Sequence, residues 1–176
     1  MPVIWQSSGS KIALMGYTMA LEITISEEDE KEFAGLLQTR IREFNNHHSP
    51  HHLAARQPGA VRPLHVMVKD EAGQVVGGLS AHTYWDWLEV DDLFVPETWR
   101  GQGIGSSLLQ TAEAMAVERG ARHSFLTTFA FQARGFYERH GYTVAGTLEG
   151  YPPRSAYFWM RKDLSPDLAQ RDLSHD

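Results

Sequence analysis

The order of elements along the chain predicts an α/β fold, built on a mixed, mostly antiparallel central sheet of about six to seven strands flanked by helices. Three observations carry that reading. Segments of strand-like pattern at 65–69 and 74–82 flank the turn Asp70-Glu71-Ala72-Gly73, which marks an antiparallel hairpin. Beyond the hairpin, apolar strands alternate with helical stretches whose apolar residues recur at three and four. Between the strand at 88–95 and the helix at 103–119 lies a turn rich in glycine.

Taken in order, residues 19–25 are apolar and β-branched enough for a first strand. Ser26 and the acidic run 27–30 then read as a helix start. Phe33, Leu36, Leu37, Ile41 and Phe44 form an apolar stripe suited to packing on a sheet. Residues 45–63 lose all periodicity and read as a long loop, a candidate wall for an acceptor substrate. Its histidines at 47, 48, 51 and 52 lack a carboxylate partner, and Pro50 interrupts any regular helix, so the loop reads as solvated and no metal is expected.

Gly77 and Gly78 inside the 74–82 strand suggest a bulge or the close approach of another backbone. Trp85-Asp86-Trp87 turns the corner into the strand 88–95. The helix 103–119 presents Ile104, Leu108, Ala112, Met115 and Ala116 on one face and stops at Gly120. A strand at 122–128, a short helix at 132–140 ended by Gly141, and strands at 142–146 and 156–161 complete the domain, set at 19–164. Residues 1–18 read as a leader and 165–176 as a polar tail.

Composition narrows the function. The 176 residues suffice for one domain, and 42% hydrophobic with 22% charged residues is ordinary for a globular chain. A net charge of −6 argues against nucleic-acid and anionic-membrane partners and suits a cationic substrate. There is no cysteine, which excludes disulfides and thiolate catalysis and fits a reducing, cytoplasmic location. No apolar run reaches the roughly 20 residues of a membrane span, and the first residues lack a signal-peptide pattern.

The glycine turn carries the chemistry. Glycines at 101, 103 and 105 free the backbone to aim successive N–H groups at an anion. The helix that starts there adds its unsatisfied first-turn donors, and Arg100 adds a full charge. A Walker A loop would need a lysine where Ile104 and Ser106 stand. A dinucleotide fingerprint would need Gly at Ser106 and an acidic residue after the next strand, which ends in Thr127 and Thr128.

What remains, Arg100-Gly101-Gln102-Gly103-Ile104-Gly105, resembles the pyrophosphate-binding motif of the GNAT superfamily of N-acetyltransferases. Phe136-Tyr137-Glu138-Arg139-His140-Gly141-Tyr142 is similar to a second segment of that family. The resemblance covers about 21–164. It implies a GNAT-type sheet, acetyl-coenzyme A as co-substrate, and transfer to a primary amine of a small molecule or peptide. The amides at Gly101, Gln102, Gly103, Ile104, Gly105 and Ser106 would hold the pyrophosphate. Leu93, Phe94 and Val95 would hydrogen-bond the pantetheine arm, and Tyr137 would serve as general acid toward the thiolate, with Phe136 beside it as the packed ring.

For the base, Glu89 ranks first, Asp92 second and Asp91 third. Strand alternation sets Glu89 and Asp91 on one face and Asp92 on the other. Where the family often carries asparagine this chain has Ala130, and Gln132 is the substitute contact. The resemblance also makes homodimerisation an option. A non-catalytic acyl-coenzyme A sensor on the same fold is the alternative function. Tyr84, Trp85, Trp87 and Tyr151 are candidates for an acceptor pocket, against a core or interface role.

Overall fold

The computed structural model describes residues 12–14 and 21–164, and the chain divides into two compact units, Met1–Ser49 and Pro50–Asp176. The expected tail at 165–176 and most of the expected leader lie outside the described residues.

In the first unit, β1 (Ile12–Leu14) and β2 (Leu21–Ile23) pair antiparallel with Leu14 opposite Leu21. The strand expected at 19–25 therefore belongs to a two-stranded ladder of its own and not to the central sheet. Helix α1 (Lys31–His48) starts later than Ser26 suggests. The Ser26 hydroxyl donates to Glu30 Oε1 and accepts from the Glu28 amide, closing a turn ahead of the helix instead of capping it. The stripe of Phe33, Leu36, Leu37, Ile41 and Phe44 is 45% to 62% exposed, and no residue of α1 is buried.

The loop expected at 45–63 is shorter than its composition suggests. Helix α1 continues through His48, and in the second unit Pro50 opens helix α2 (Pro50–Ala54). Proline at a first helical position sacrifices only an N–H that would have no intrahelical partner, so Pro50 separates two helices without forbidding either.

The second unit is built on a six-stranded sheet. Its strands are β3 (Arg62–Lys69), β4 (Val75–Tyr84), β5 (Trp87–Phe94), β6 (His123–Phe129), β7 (Thr143–Glu149) and β8 (Ala156–Asp163), in the order β3-β4-β5-β6-β8-β7. All neighbours are antiparallel except β5 and β6. That one parallel pair requires a crossover, supplied by helix α3 (Ile104–Glu118), which packs on β3, β4 and β5. Leu108, Leu109, Ala112 and Ala116 turn inward from α3 to meet Leu79, Leu88, Leu126 and Met160 of the sheet. Helix α4 (Arg134–Arg139) adds Tyr137 to this core.

The register shifts at three places in the sheet, between Val68 and Lys69, between Ser80 and Ala81, and between Val144 and Gly146, and the first two involve β4. Gly77 and Gly78 let backbones approach closely: a Cβ at Gly78 would stand 2.5 Å from the Val66 carbonyl oxygen, and one at Gly77 would stand 2.8 Å from that of Phe94. Between β4 and β5 the register slips, with Ala81 opposite Val90 but Ser80 opposite Asp92, so Asp91 is an extra residue on β5. Among the described residues no helix is long and apolar enough to cross a membrane.

Candidate active site

The parallel ladder between β5 and β6 runs only from Trp87 opposite His123 to Val90 opposite Leu126. Past that rung β5 stays with β4 as far as Phe94 opposite Gly78, while β6 follows β8 as far as Phe129 opposite Tyr157. The two strands part. A cleft of about 990 Å³ occupies the opening, lined by Asp91 to Val95 from β5 and the residue after it, by Thr127 and Thr128 from β6, by the glycine turn, and by α4. Backbone groups of β5 on the side facing the gap have lost their ladder partners, so they are available to an extended ligand.

The glycine turn is formed by a 3₁₀ turn at Glu97–Trp99 followed by Arg100 to Gly103. Gly101 and Gly103 have φ of +75° and +82°, a left-handed conformation that glycine adopts without cost. A Cβ at either would meet nothing within 4 Å, so the turn lies open on its outer side. Gly103 is the N-cap of α3 and no side chain caps that helix end. Its first-turn amides and its positive dipole end therefore stay available for an anion, a placement worth about 0.3–1 kcal/mol from the dipole alone. Gly105 serves packing: its ideal Cβ position is 3.5 Å from the Phe136 ring.

Side chains around the turn brace it. Arg100 Nε donates to the Val95 carbonyl at 3.0 Å, and its guanidinium lies 3.6 Å from Glu97. Gln102 turns away to the Thr98 carbonyl and is not among the cleft-lining residues, whereas Arg100, Gly101, Gly103, Ile104, Gly105 and Ser106 are. The Gln132 side chain accepts from the Phe129 amide at 2.8 Å, closing the turn from β6 into α4 at the cleft wall.

Tyr137 and Phe136 both line the cleft, but their burial is the reverse of expectation. Tyr137 is 7% exposed and part of the core, while Phe136 packs against the core and is only partly buried. Burial raises the Tyr137 phenol above its ordinary value, and the negative charge of Asp92 raises it further. At neutral pH this phenol is a proton donor held beside a carboxylate.

The acids of β5 depart from simple alternation. Leu88 and Val90 are buried and Leu93 packs on the core, so the inward face skips two residues at the bulge, leaving Asp91 and Asp92 both exposed and both in the cleft wall. Glu89 does not line the cleft. It accepts from the Tyr84 hydroxyl at 3.1 Å, and its Oε2 lies 3.4 Å from His82 Nε2. Of the expected acceptor aromatics, Tyr84, Trp85, Trp87 and Tyr151 are all absent from the lining, and Phe131, stacked on Phe129, is present instead. Trp99, Phe131 and His140 also line the cleft. Trp99 adjoins the motif at 100–105 and His140 lies within that at 136–142, and that adjacency is the signal that points to them, whereas Phe131 adjoins neither.

The sheet opens between its parallel strands, and the uncapped end of α3 and the buried phenol of Tyr137 lie in the walls of the opening. Comparison with known proteins sharpens this. The profile of the Acetyltransferase (GNAT) family matches residues 24–142. The chain is 40% identical over 131 residues to blasticidin-S acetyltransferase of Streptomyces morookaense, covering 71% of this chain and 96% of that one. It is 39% identical over 101 residues to an acetyltransferase of Agrobacterium fabrum, covering 57% and 74%. Among solved structures, an acetyltransferase from Bacillus cereus superposes with a TM-score of 0.65 at 28% identity, covering 79% of this chain and 96% of the other. The chain belongs to the GNAT family and is an N-acetyltransferase.

Proposed function

We propose that the protein transfers an acetyl group from acetyl-coenzyme A directly to a primary amine of a small molecule, in a ternary complex, with Tyr137 as general acid. One observation carries the reading: the anion cradle, the unpaired edge of β5 and the buried phenol of Tyr137 all line one cleft. The residues present fit such a donor. The open turn at Gly101 and Gly103 and the uncapped end of α3 suit its pyrophosphate. The free edge of β5 from Asp91 to Phe94 suits its amide-bearing arm. Bound there, acetyl-coenzyme A supplies the activated acyl group.

The chain's own residues do the rest. Asp91 and Asp92 attract a cationic acceptor and orient its nitrogen, in keeping with the net charge of −6. Tyr137 holds a proton at its phenol oxygen for the departing thiolate, and its raised pKa keeps that proton in place through the neutral range. A cytoplasmic location, with no metal and no nucleic-acid partner, completes the proposal.

Blasticidin S, the compound named for the Streptomyces relative, is the first acceptor to test. Thiol release from acetyl-coenzyme A should be followed with blasticidin S and a panel of small cationic amines. Amine-dependent release that saturates supports the proposal. Donor binding without release for any amine would instead favour a sensor.

A further inference from the structure

Asp91 and Asp92 account for the charge of the acceptor but not for the rest of it. Phe131 supplies what is missing. It lines the cleft, and at 68% exposed it is more open than any other large apolar side chain among the described residues. A single exposed ring needs no explanation, but this one heads a cluster. The Phe131 ring stacks on Phe129 with centroids 5.1 Å apart and planes 11° from parallel. Phe129 in turn meets Tyr157 at 4.7 Å and Tyr151 at 6.1 Å, and Tyr157 meets Trp159 at 5.3 Å. Tyr151 and Trp159 are exposed and continue the open aromatic surface. Of these rings only Phe131 reaches the cleft lining.

The backbone holds Phe131 at the tip of a clamped turn. The Gln132 amide donates to the Phe129 carbonyl at 2.9 Å, the Gln132 side chain accepts from the Phe129 amide at 2.8 Å, and the Ala130 amide donates to the Ala156 carbonyl at 2.9 Å. One face of the Phe131 ring is covered by Phe129 and the other is left open beside the cleft. A flat ring entering the cleft would extend that stack.

Sheet geometry decides which ligand meets this surface. Leu126, Phe158 and Met160 are core residues on the side of α3, so alternation along β6 and β8 puts Phe129, Tyr157 and Trp159 on the opposite side. On β5, Leu88 and Val90 belong to the α3 side, and Glu89 and Asp91 belong to the opposite side, where both lie against His82. The anion cradle is the head of α3, and the base of coenzyme A is tied to its pyrophosphate through a single ribose. The aromatic cluster therefore shares its face with Asp91 and not with the cradle.

We infer that Phe131, backed by Phe129, is the platform for a planar ring carried by the acceptor, and that the acceptor class is an amine joined by a flexible linker to an aromatic or heteroaromatic ring. The ammonium meets Asp91 and Asp92 on the β5 wall while the ring stacks on Phe131 at the β6 side. Paired strands stand about 4.8 Å apart, and β5 and β6 have parted here, so the linker spans more than one bond. Phe131 is thus a specificity-determining residue. The inference rests on the proposed acetylation of an amine.

The test compares phenethylamine with its saturated analogue cyclohexylethylamine, which share amine and linker and differ in whether the ring is flat. Each is measured as a substrate, or as a competitive inhibitor of an acceptor that the wild type turns over, in wild type, Phe131→Leu and Phe131→Tyr. The saturated ring buries at least as much apolar surface, so burial alone favours it. Stacking predicts that wild type prefers the flat ring about 3- to 10-fold, that Phe131→Leu brings the ratio to about one, and that Phe131→Tyr keeps it. Acetyl-coenzyme A affinity, measured by calorimetry, should stay within about twofold in both variants, since the glycine turn is untouched. No preference in wild type, a preference that survives in Phe131→Leu, or neither compound binding while other amines are acetylated, overturns the platform and leaves acetylation intact. A loss of acetyl-coenzyme A affinity in Phe131→Leu would assign the ring to the donor's base, and a change from dimer to monomer in sedimentation would assign it to an interface between copies; either result overturns the platform as well. A wild type that acetylates no amine overturns both readings.

Discussion

Val90 and Leu126 form the last rung between β5 and β6, and the strands part immediately beyond them. From that rung onward the two strands line a cleft instead of a ladder, and the glycine turn succeeds β5 at once. The parting opens the cleft, while the bulge between β4 and β5 brings both Asp91 and Asp92 into its wall.

The cradle depends on glycine at position 103. Alanine there would have to hold φ near +82°, at a cost of about 1–2 kcal/mol, and would put a methyl group into the open side of the turn. Gly103→Ala is expected to weaken acetyl-coenzyme A binding by about tenfold or more in calorimetry, with a drop of about 1 kcal/mol in urea unfolding.

Removing the phenol of Tyr137 tests the acid. Tyr137→Phe keeps the packing against Phe136 and Tyr142 and deletes only the hydroxyl. We expect kcat to fall about 10- to 100-fold with donor affinity unchanged. Equal kcat values for the two proteins would remove the acid role.

Stability should decline on the alkaline side. Burial raises the phenols of both Tyr137 and Tyr142, and in Tyr142 the nearby Glu113 carboxylate adds to it. In the unfolded chain phenols ionise near pH 10, while in the folded chain these two keep their protons. Above about pH 10 the unfolded state therefore binds fewer protons than the native state, and unfolding free energy falls as pH rises. Urea midpoints at pH 8, 10 and 11 should drop in that order, and Tyr142→Phe should flatten the drop.

Lys162 neutralises a carboxylate set into the core. Its Nζ is 2.6 Å from Glu113 Oε2, and Glu113 Oε1 is buried with no hydrogen-bond partner among the described residues. Lys162→Met should cost about 3 kcal/mol in chemical unfolding, because it strands that charge. Adding Glu113→Leu should recover most of the loss, since replacing both partners removes the orphan.

Legibility in the sequence tracks the range of the interactions involved. The glycine turn at 100–105 is local, and its left-handed glycines and uncapped helix end are properties of contiguous residues. The hairpin at Asp70 to Gln74 is local too: the Asp70 side chain accepts from the Gln74 amide at 2.8 Å, with Gly73 at positive φ. The bulge at Asp91 is not local. It arises from the pairing of β5 with β4, where Ser80 meets Asp92, and period-two alternation cannot register an extra residue that only the partner strand defines. For that reason Asp92 joins Asp91 in the cleft wall, contrary to strict alternation, while Glu89 and Asp91 both lie against His82 as alternation expects. His82 itself carries no sequence signal, because its two carboxylate partners belong to the neighbouring strand. The break at Pro50 reads as a loop because composition does not distinguish a proline that ends a helix from one that begins the next.

Whether the cleft holds acetyl-coenzyme A on the glycine turn is tested most directly by titrating acetyl-coenzyme A into the purified protein by calorimetry, with NADH as comparator. Saturable binding of acetyl-coenzyme A that NADH does not share, and that Gly103→Ala weakens, is the expected result. Binding of neither ligand, or acetyl-coenzyme A binding indifferent to Gly103→Ala, would contradict it.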